Sequence, residues 1–154
     1  MGSIMKQIKV RAINEADYSC VCLLEQGSSG AHYQAAVFVR QAMTLWPRLF
    51  LVSEVDDQIA GYLVGSIPCD YPSSGWILRV RVDAAFQRMG VATMLMCKIE
   101  DLMKDYRINQ ILLSCSPVNH GALALYYRQG YSDLNRETAY FGPGEDRLIL
   151  RKTI

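Results

Sequence analysis

What the chain has little of narrows its chemistry first. It holds only two histidines, and its five cysteines, Cys20, Cys22, Cys69, Cys97 and Cys115, show neither paired C-x-x-C spacing nor a histidine spaced for zinc. No metal is therefore expected, and an odd number of thiols without pairing reads as reduced and mostly buried. Charge of one sign is missing as well: 16 Lys and Arg stand against 15 Asp and Glu, so no overall field exists to hold a polyanion, and a nucleic-acid partner is not expected. No apolar run approaches the roughly 18 residues that span a bilayer, which argues against a membrane partner. The opening Met1-Gly2-Ser3-Ile4-Met5 has no charged-then-apolar secretory pattern, and Lys6 stands where a myristoylation signal needs Ser or Thr. The expectation is a cytoplasmic protein, with Met1 to Met5 open to being partly an expression scar. Repeats, low-complexity tracts and linkers are absent too, so 154 residues read as one domain, 1–154, with a substantial core.

What is present is a regular alternation of strand-like and helix-like segments. Ile8 to Ile13 alternates and runs into Asn14-Glu15-Ala16-Asp17, a capping residue with an acid three places on, which predicts a helix to about Gln26. Gly27-Ser28-Ser29-Gly30 breaks that helix, and Tyr33 to Trp46 predicts a second one, ended by Pro47. This second helix is apolar around much of its circumference, which points to deep burial; a substrate wall or the surface of a homodimer would look the same. Leu49 to Val55 and Ile59 to Ile67 flank Asp56-Asp57 as a hairpin, and Trp76 to Val82 is the next strand. A helix after Gly90 places Val91, Leu95, Ile99, Leu102, Met103 and Tyr106 on one face. Gln110 to Cys115 predicts a buried strand, Asn119 to Gln129 a helix stopped by Gly130, and Asp146 to Lys152 a last strand. The order predicts an α/β fold, a mixed sheet with helices on both faces.

The segment richest in chemistry is Val82-Asp83-Ala84-Ala85-Phe86-Gln87-Arg88-Met89-Gly90-Val91-Ala92-Thr93. A strand ends, a short turn follows, and a helix begins beside a glycine. Unpaired N–H groups at a helix start, together with the positive end of its dipole, suit a pyrophosphate. Gly90 lets backbone come close, Ala92 keeps bulk away, Arg88 brings a charge and Thr93 a hydroxyl. The loop lacks G-x-x-x-x-G-K-[ST] and G-x-G-x-x-G, which removes nucleoside triphosphates and dinucleotides from consideration. A different phosphate-bearing ligand, or a plain strand-to-helix turn, is left.

Gln87-x-x-Gly90-x-Ala92 resembles the Q/R-x-x-G-x-G/A pyrophosphate loop of the GNAT superfamily of N-acetyltransferases. Asn119-His120-Gly121-Ala122-Leu123-Ala124-Leu125-Tyr126-Tyr127-Arg128-Gln129-Gly130-Tyr131 resembles the same family's N-x-x-A-x-x-x-Y-x-x-x-G-F/Y segment. The resemblance implies a mixed, mostly antiparallel sheet of six to seven strands whose fourth and fifth members splay apart. It implies acetyl-CoA as cosubstrate, with the pantetheine arm on the backbone of Val80, Arg81 and Val82. It puts the pyrophosphate on Gln87, Arg88, Met89, Gly90, Val91, Ala92 and Thr93, a further cofactor contact on Asn119, and the general acid on Tyr126. A thiolate whose thiol pKa is about 8.5 departs more easily when protonated, and a phenol can supply that proton. A backbone N–H near Val80 to Val82 would meet the oxyanion.

The chain departs from the family pattern at the base. Many relatives carry Glu or His five residues before the motif Asn, where this chain has Ser114, and Trp76 stands near a position that some peptide-acetylating relatives fill with Tyr. Either a water chain reaches Glu54, Asp70 or another carboxylate, or the acceptor is a weakly basic amine such as an α-amine. Tyr140-Phe141-Gly142-Pro143-Gly144-Glu145-Asp146 resembles the Y-Y-x-x-G-E-D stretch of N-terminal and ribosomal-protein alanine acetyltransferases, which implies a peptide groove lined by Tyr140 and Phe141 with Trp76 and Ser114. An ordinary turn between two strands would use the same residues. His32 reads as a loop residue between the first two helices, and His120 as facing solvent or phosphate. Cys115 has no positioned His partner for covalent catalysis. The expectation is direct transfer in a ternary complex to a peptide or protein α-amine. A small amine or polyamine is the next acceptor, and a non-catalytic acyl-CoA sensor is the rival of another class.

Overall fold

The computed structural model describes residues 6–154, so the reading of Met1 to Met5 lies outside the described residues. Among the described residues seven strands run in the sheet order β1-β2-β3-β4-β5-β7-β6. In chain order they are β1 Ile8–Ala12, β2 Phe50–Val55, β3 Gln58–Ser66, β4 Ser74–Val82, β5 Gln110–Cys115, β6 Ser132–Glu137 and β7 Arg147–Thr153. The helices are α1 Tyr18–Gln26, α2 His32–Leu45, α3 Val91–Asp105 and α4 His120–Arg128. The pairs β1/β2, β2/β3, β5/β7 and β6/β7 are antiparallel, whereas β4/β5 is parallel, so the sheet is mixed and mostly antiparallel as expected. Among the described residues no helix is long and apolar enough to cross a membrane.

The chain forms two compact units, one of residues up to Gly65 with Arg79–Ile99, the other of Ser66–Leu78 with Glu100–Ile154. The first is organised by the entry to α1. Asn14 accepts from the Ala16 amide, and the Asp17 carboxylate accepts from the Asn14 amide, closing the capping box that the sequence announces. The turn it caps is a short 3-10 segment, Glu15–Asp17, and α1 proper starts at Tyr18. Asp17 and Glu54 both accept hydrogen bonds from Arg11, an arrangement that holds Asp17 below the ordinary carboxylate range. Val21, Val39, Ala42, Phe50, Val52, Tyr62 and Val64 close over one another as this unit's core. The hairpin turn falls on Asp56 and Asp57, both with positive φ, the backbone that a tight two-residue connection needs.

In the second unit β4 and β5 pair from Ser74↔Gln110 to Ile77↔Leu113, and β7 pairs along β5 from Gln110↔Thr153 to Cys115↔Leu148. Gln110 donates to the Ser74 hydroxyl at 2.8 Å and pins the start of the parallel ladder. Polar, exposed β6 (Ser-Asp-Leu-Asn-Arg-Glu) shows no alternation, and the sequence did not place it. It exists because β7 gives it backbone partners, from Ser132↔Arg151 to Glu137↔Arg147.

Three expectations need correction. The second helix buries only Ala35, Val39 and Ala42, while Tyr33 and Leu45 are exposed, so its apolar circumference is not a sign of deep burial. Only Cys115 is buried among the cysteines; Cys22 is half-buried, and Cys20, Cys69 and Cys97 are exposed, because they fall on the outward faces of helices or in a turn. Tyr106 lies past the end of α3 and is exposed rather than continuing its apolar face.

Candidate functional site

In the first unit, β4 ends at Val82 and the Asp83 side chain accepts from the Ala85 amide, starting a 3-10 turn, Ala84–Phe86. Gln87 leaves that turn extended, Arg88 takes a φ of 63°, and Gly90 one of 84°. A left-handed residue directly before the helix turns the chain sharply into α3, and glycine adopts it without strain. The Met94 amide donates to the Gly90 carbonyl at 3.0 Å, the first bond of the helix. Helical geometry therefore leaves the amides of Val91, Ala92 and Thr93 without intrahelical acceptors. A Cβ built on Gly90 would meet nothing within 4 Å, so open space lies beside those amides. Gln87 and Arg88 are exposed, and Met89, Ala92 and Thr93 half-buried, while Val91 anchors the helix in the core. The residues present thus fit an anionic group of diphosphate size, with the helix dipole adding to the amides.

The same unit contains a cluster that the sequence reading missed. Glu25 on α1 is only 9% exposed, yet three groups converge on it. The Tyr62 hydroxyl donates to it from β3, and from β4 Arg79 lies 3.0 Å and Arg81 3.6 Å away. Burial and the bond to Glu25 push the Tyr62 phenol far above the ordinary tyrosine range. Arg79 also sits over the Phe38 ring at 5.2 Å. A cavity of about 360 Å³ opens here, lined by Glu25, Arg79 and Arg81 with α1 and α2 residues. The partners lie far apart in sequence and no local spacing announces them.

The second unit carries the other expected residues. Asn119 caps α4, its side chain accepting from the Ala122 amide at 3.2 Å, so its side-chain oxygen already has a structural task. Tyr126 is half-buried on α4, its ring set edge-on to Tyr131 at 6.2 Å. Burial first, and then the neighbouring Cys115, push the Tyr126 phenol up to about 12. Among the described residues its hydroxyl has no hydrogen-bond partner. Tyr127 differs: it is exposed and donates to Asp133 at 2.8 Å. Ser114 and Trp76 are half-buried on β5 and β4. Burial pushes the Cys115 thiol up, the wrong direction for a nucleophile. Tyr140 and Phe141 are exposed in the β6–β7 connection with ring centroids 4.8 Å apart, and Arg147 covers the Phe141 ring at 4.9 Å.

Of the carboxylates considered as proton relays, Glu54 is held by Arg11 and Asp70 is exposed in a turn. His32 is the first residue of α2 rather than a loop residue, and its ring bonds Gln26 at 2.6 Å. His120 is exposed at the start of α4. Among the described residues no group of three or more His, Cys, Asp or Glu could hold a metal ion.

Comparison with known proteins adds independent findings. The model of the acetyltransferase (GNAT) family matches residues 12–131. An uncharacterized N-acetyltransferase of Methanocaldococcus jannaschii is 26% identical over 144 residues, covering 93% of this chain and 90% of that protein. An N-alpha-acetyltransferase of Sulfurisphaera tokodaii is 21% identical over 155 residues, covering 94% and 92%. In fold, the chain resembles the crystal structure of Ard1 from Thermoplasma volcanium with a TM-score of 0.85 and 23% identity, covering 96% of this chain and 97% of that one.

Proposed function

Since the chain belongs to the acetyltransferase (GNAT) family and is an acetyl-CoA-dependent N-acetyltransferase, we propose that its acceptor is the α-amine of a peptide or protein, acetylated by direct attack on the thioester. The free amides of Val91, Ala92 and Thr93 beside Gly90 hold the cosubstrate's diphosphate, with Gln87, Arg88 and Met89 completing the loop. The backbone of Val80, Arg81 and Val82 carries the pantetheine arm and offers an N–H to the carbonyl oxygen as it becomes an oxyanion. Asn119 adds a contact through its amide N–H2, which capping does not use.

The amine nitrogen forms its bond to the acetyl carbon, and the carbon–sulfur bond breaks. The departing sulfur takes the proton of the Tyr126 hydroxyl, the new amide gives its surplus proton to water, and the Tyr126 phenolate takes a proton back from water, which restores it for the next turnover. The Tyr126 phenol, at about 12, is protonated throughout the physiological range, so its proton is present when the sulfur departs. Its lack of an internal partner supports the same role, since its proton is not committed to the fold.

One observation carries the choice of acceptor. A chain matched over 94% of its length to an N-alpha-acetyltransferase has Ser114, which can take no proton from an ammonium, five residues before Asn119, where the family pattern puts Glu or His. An α-amine, with a pKa near 8, is partly neutral at pH 7, whereas a lysine amine near 10.4 is almost wholly charged. Tyr140, Phe141 and Trp76 are the proposed groove for the peptide.

The test follows free thiol from acetyl-CoA with three sets of acceptors: peptides with a free amino terminus, the same peptides blocked there but carrying lysine, and polyamines. Release with the first set alone is the expected result. Release with polyamines alone would replace the acceptor class, and cofactor-induced thermal stabilisation without release for any set would favour an acyl-CoA sensor.

A further inference from the structure

We infer that the cavity lined by α1, α2 and β4 is an anion-recognition subsite, which takes a carboxylate side chain of the acceptor close to its reacting α-amine. The inference rests on the peptide reading given above.

The charge of the cavity is the first reason. Its ionisable lining is Glu25, Arg79 and Arg81, one carboxylate against two guanidiniums, which leaves one positive charge unanswered. Glu25 is already served on both oxygens, by Arg79 and by Tyr62 with Arg81, so it has little left to offer a ligand. The guanidiniums are not used up. Each has five N–H donors, yet Arg79 meets Glu25 through one terminal nitrogen while its Nε is buried with no hydrogen-bond partner. Arg81 meets Glu25 through Nε and reaches the Leu24 carbonyl only at 3.5 Å. Being about 40% exposed, both can still turn donors into the cavity.

A helix end supplies the second reason. Ala31, Gln34 and Ala35 of the lining belong to the first turn of α2, whose N-cap residue Ala31 makes no side-chain cap. The Ala35 amide donates to Ala31 at 3.0 Å and the His32 amide to Gly30, so the amides of Tyr33 and Gln34 precede the first intrahelical acceptor and bring the positive end of a 14-residue helix to the same cavity. Ala31, Ala35 and Phe38 give one apolar wall, suited to a short aliphatic stem. Ser29, Gln26 and Gln34 supply polar edges. This combination matches an aspartate or glutamate side chain, and it repels a polyamine.

The strand is built to hold the guanidiniums there. Arg79 and Arg81 stand two apart on β4 and so share a face. A Cβ on Gly61 would come within 2.6 Å of the Arg81 carbonyl, so only glycine on β3 allows this approach. The Arg81 backbone is also part of the stretch proposed for the pantetheine arm, which puts the carboxylate subsite beside that arm.

The experiment measures kcat/KM for acceptor peptides that differ only in the first two residues, acidic, serine or lysine, with the unmodified protein and with Gln34→Glu and Arg81→Gln. Acidic peptides are expected to exceed serine ones by about tenfold, as one added charge-assisted hydrogen bond would give. Gln34→Glu, an exposed change on the helix's first turn, should erase that preference and raise the lysine peptide; Arg81→Gln should act likewise. Equal kcat/KM across the peptides, or a preference that Gln34→Glu leaves intact, overturns the subsite and leaves the peptide reading standing. Turnover of polyamines with none for any peptide overturns the peptide reading and the subsite with it.

Discussion

Two buried glutamates, one in each unit, show how differently the molecule treats a charge it takes out of water. Glu25 is oversupplied: a phenol and two guanidiniums meet it, and a cavity lies in front of them. Glu100, 7% exposed on α3, is undersupplied. It has Lys152 at 2.8 Å, while its Oε1 and the nearby Tyr131 hydroxyl are buried without partners. Burial first, and then Glu100, push the Tyr131 phenol up, and Lys152 lies 5.9 Å from that ring. Surplus donors beside open volume make a place for a ligand, whereas a single partner in a packed setting makes a brace. In the second unit the brace backs Tyr131, whose ring edge supports Tyr126.

The contrast can be broken from either side, and the largest effect is expected at the supported group. Tyr126→Phe should lower kcat by about a hundredfold or more while cofactor affinity and melting temperature hardly move; steady-state kinetics with a thermal melt checks both. Unchanged kcat would remove Tyr126 from the chemistry. Next comes Lys152→Met, which strands the Glu100 charge and should cost about 3 kcal/mol in denaturant unfolding. Adding Glu100→Gln should restore much of that loss, because the pair is a brace and not a site. Glu25→Gln should behave in the opposite way: a smaller stability loss of about 1–2 kcal/mol, since its partners are near solvent, and a gain for acidic acceptors, since it raises the cavity's charge. If Glu25→Gln instead matched Lys152→Met in stability and left acceptor choice alone, the two carboxylates would be one kind of thing.

The smallest expected effect is in the pH profile. A Tyr126 phenol raised to about 12 keeps its proton until well above pH 10. The alkaline side of kcat should therefore show no fall centred near 10, where an ordinary tyrosine titrates. Stability runs with the same sign: the folded form holds this proton more tightly than the unfolded chain, so its contribution is full below pH 10 and fades as pH rises toward 12. A kcat profile from pH 7 to 11 on the wild type and Tyr126→Phe decides it, and a loss near 10 confined to the wild type would contradict the raised value.

Legibility followed locality. The Asn14 capping box, the Asp56-Asp57 turn and the Gly90 helix start were readable because each depends on residues within a few places of one another. Residues that needed a remote partner were not. β6 is strand only because β7 pairs with it, and Glu25 on α1 gathers its partners only because Tyr62, Arg79 and Arg81 arrive from two strands. The cysteines misled for a related reason: apolar character gave their chemistry but not which face of α1 or α3 they occupy. His32 was displaced by a single residue, enough to turn a loop histidine into the first residue of a helix.

Everything proposed for the reaction depends on the amides opening α3 holding the diphosphate of the cosubstrate. Amide chemical shifts of the isotope-labelled protein, recorded as coenzyme A is added, test it most directly. Gly90, Val91, Ala92 and Thr93 should move most, and 3′-dephospho-coenzyme A, which keeps the diphosphate, should move them alike. Shifts that bypass these four amides while the coenzyme binds elsewhere would contradict it.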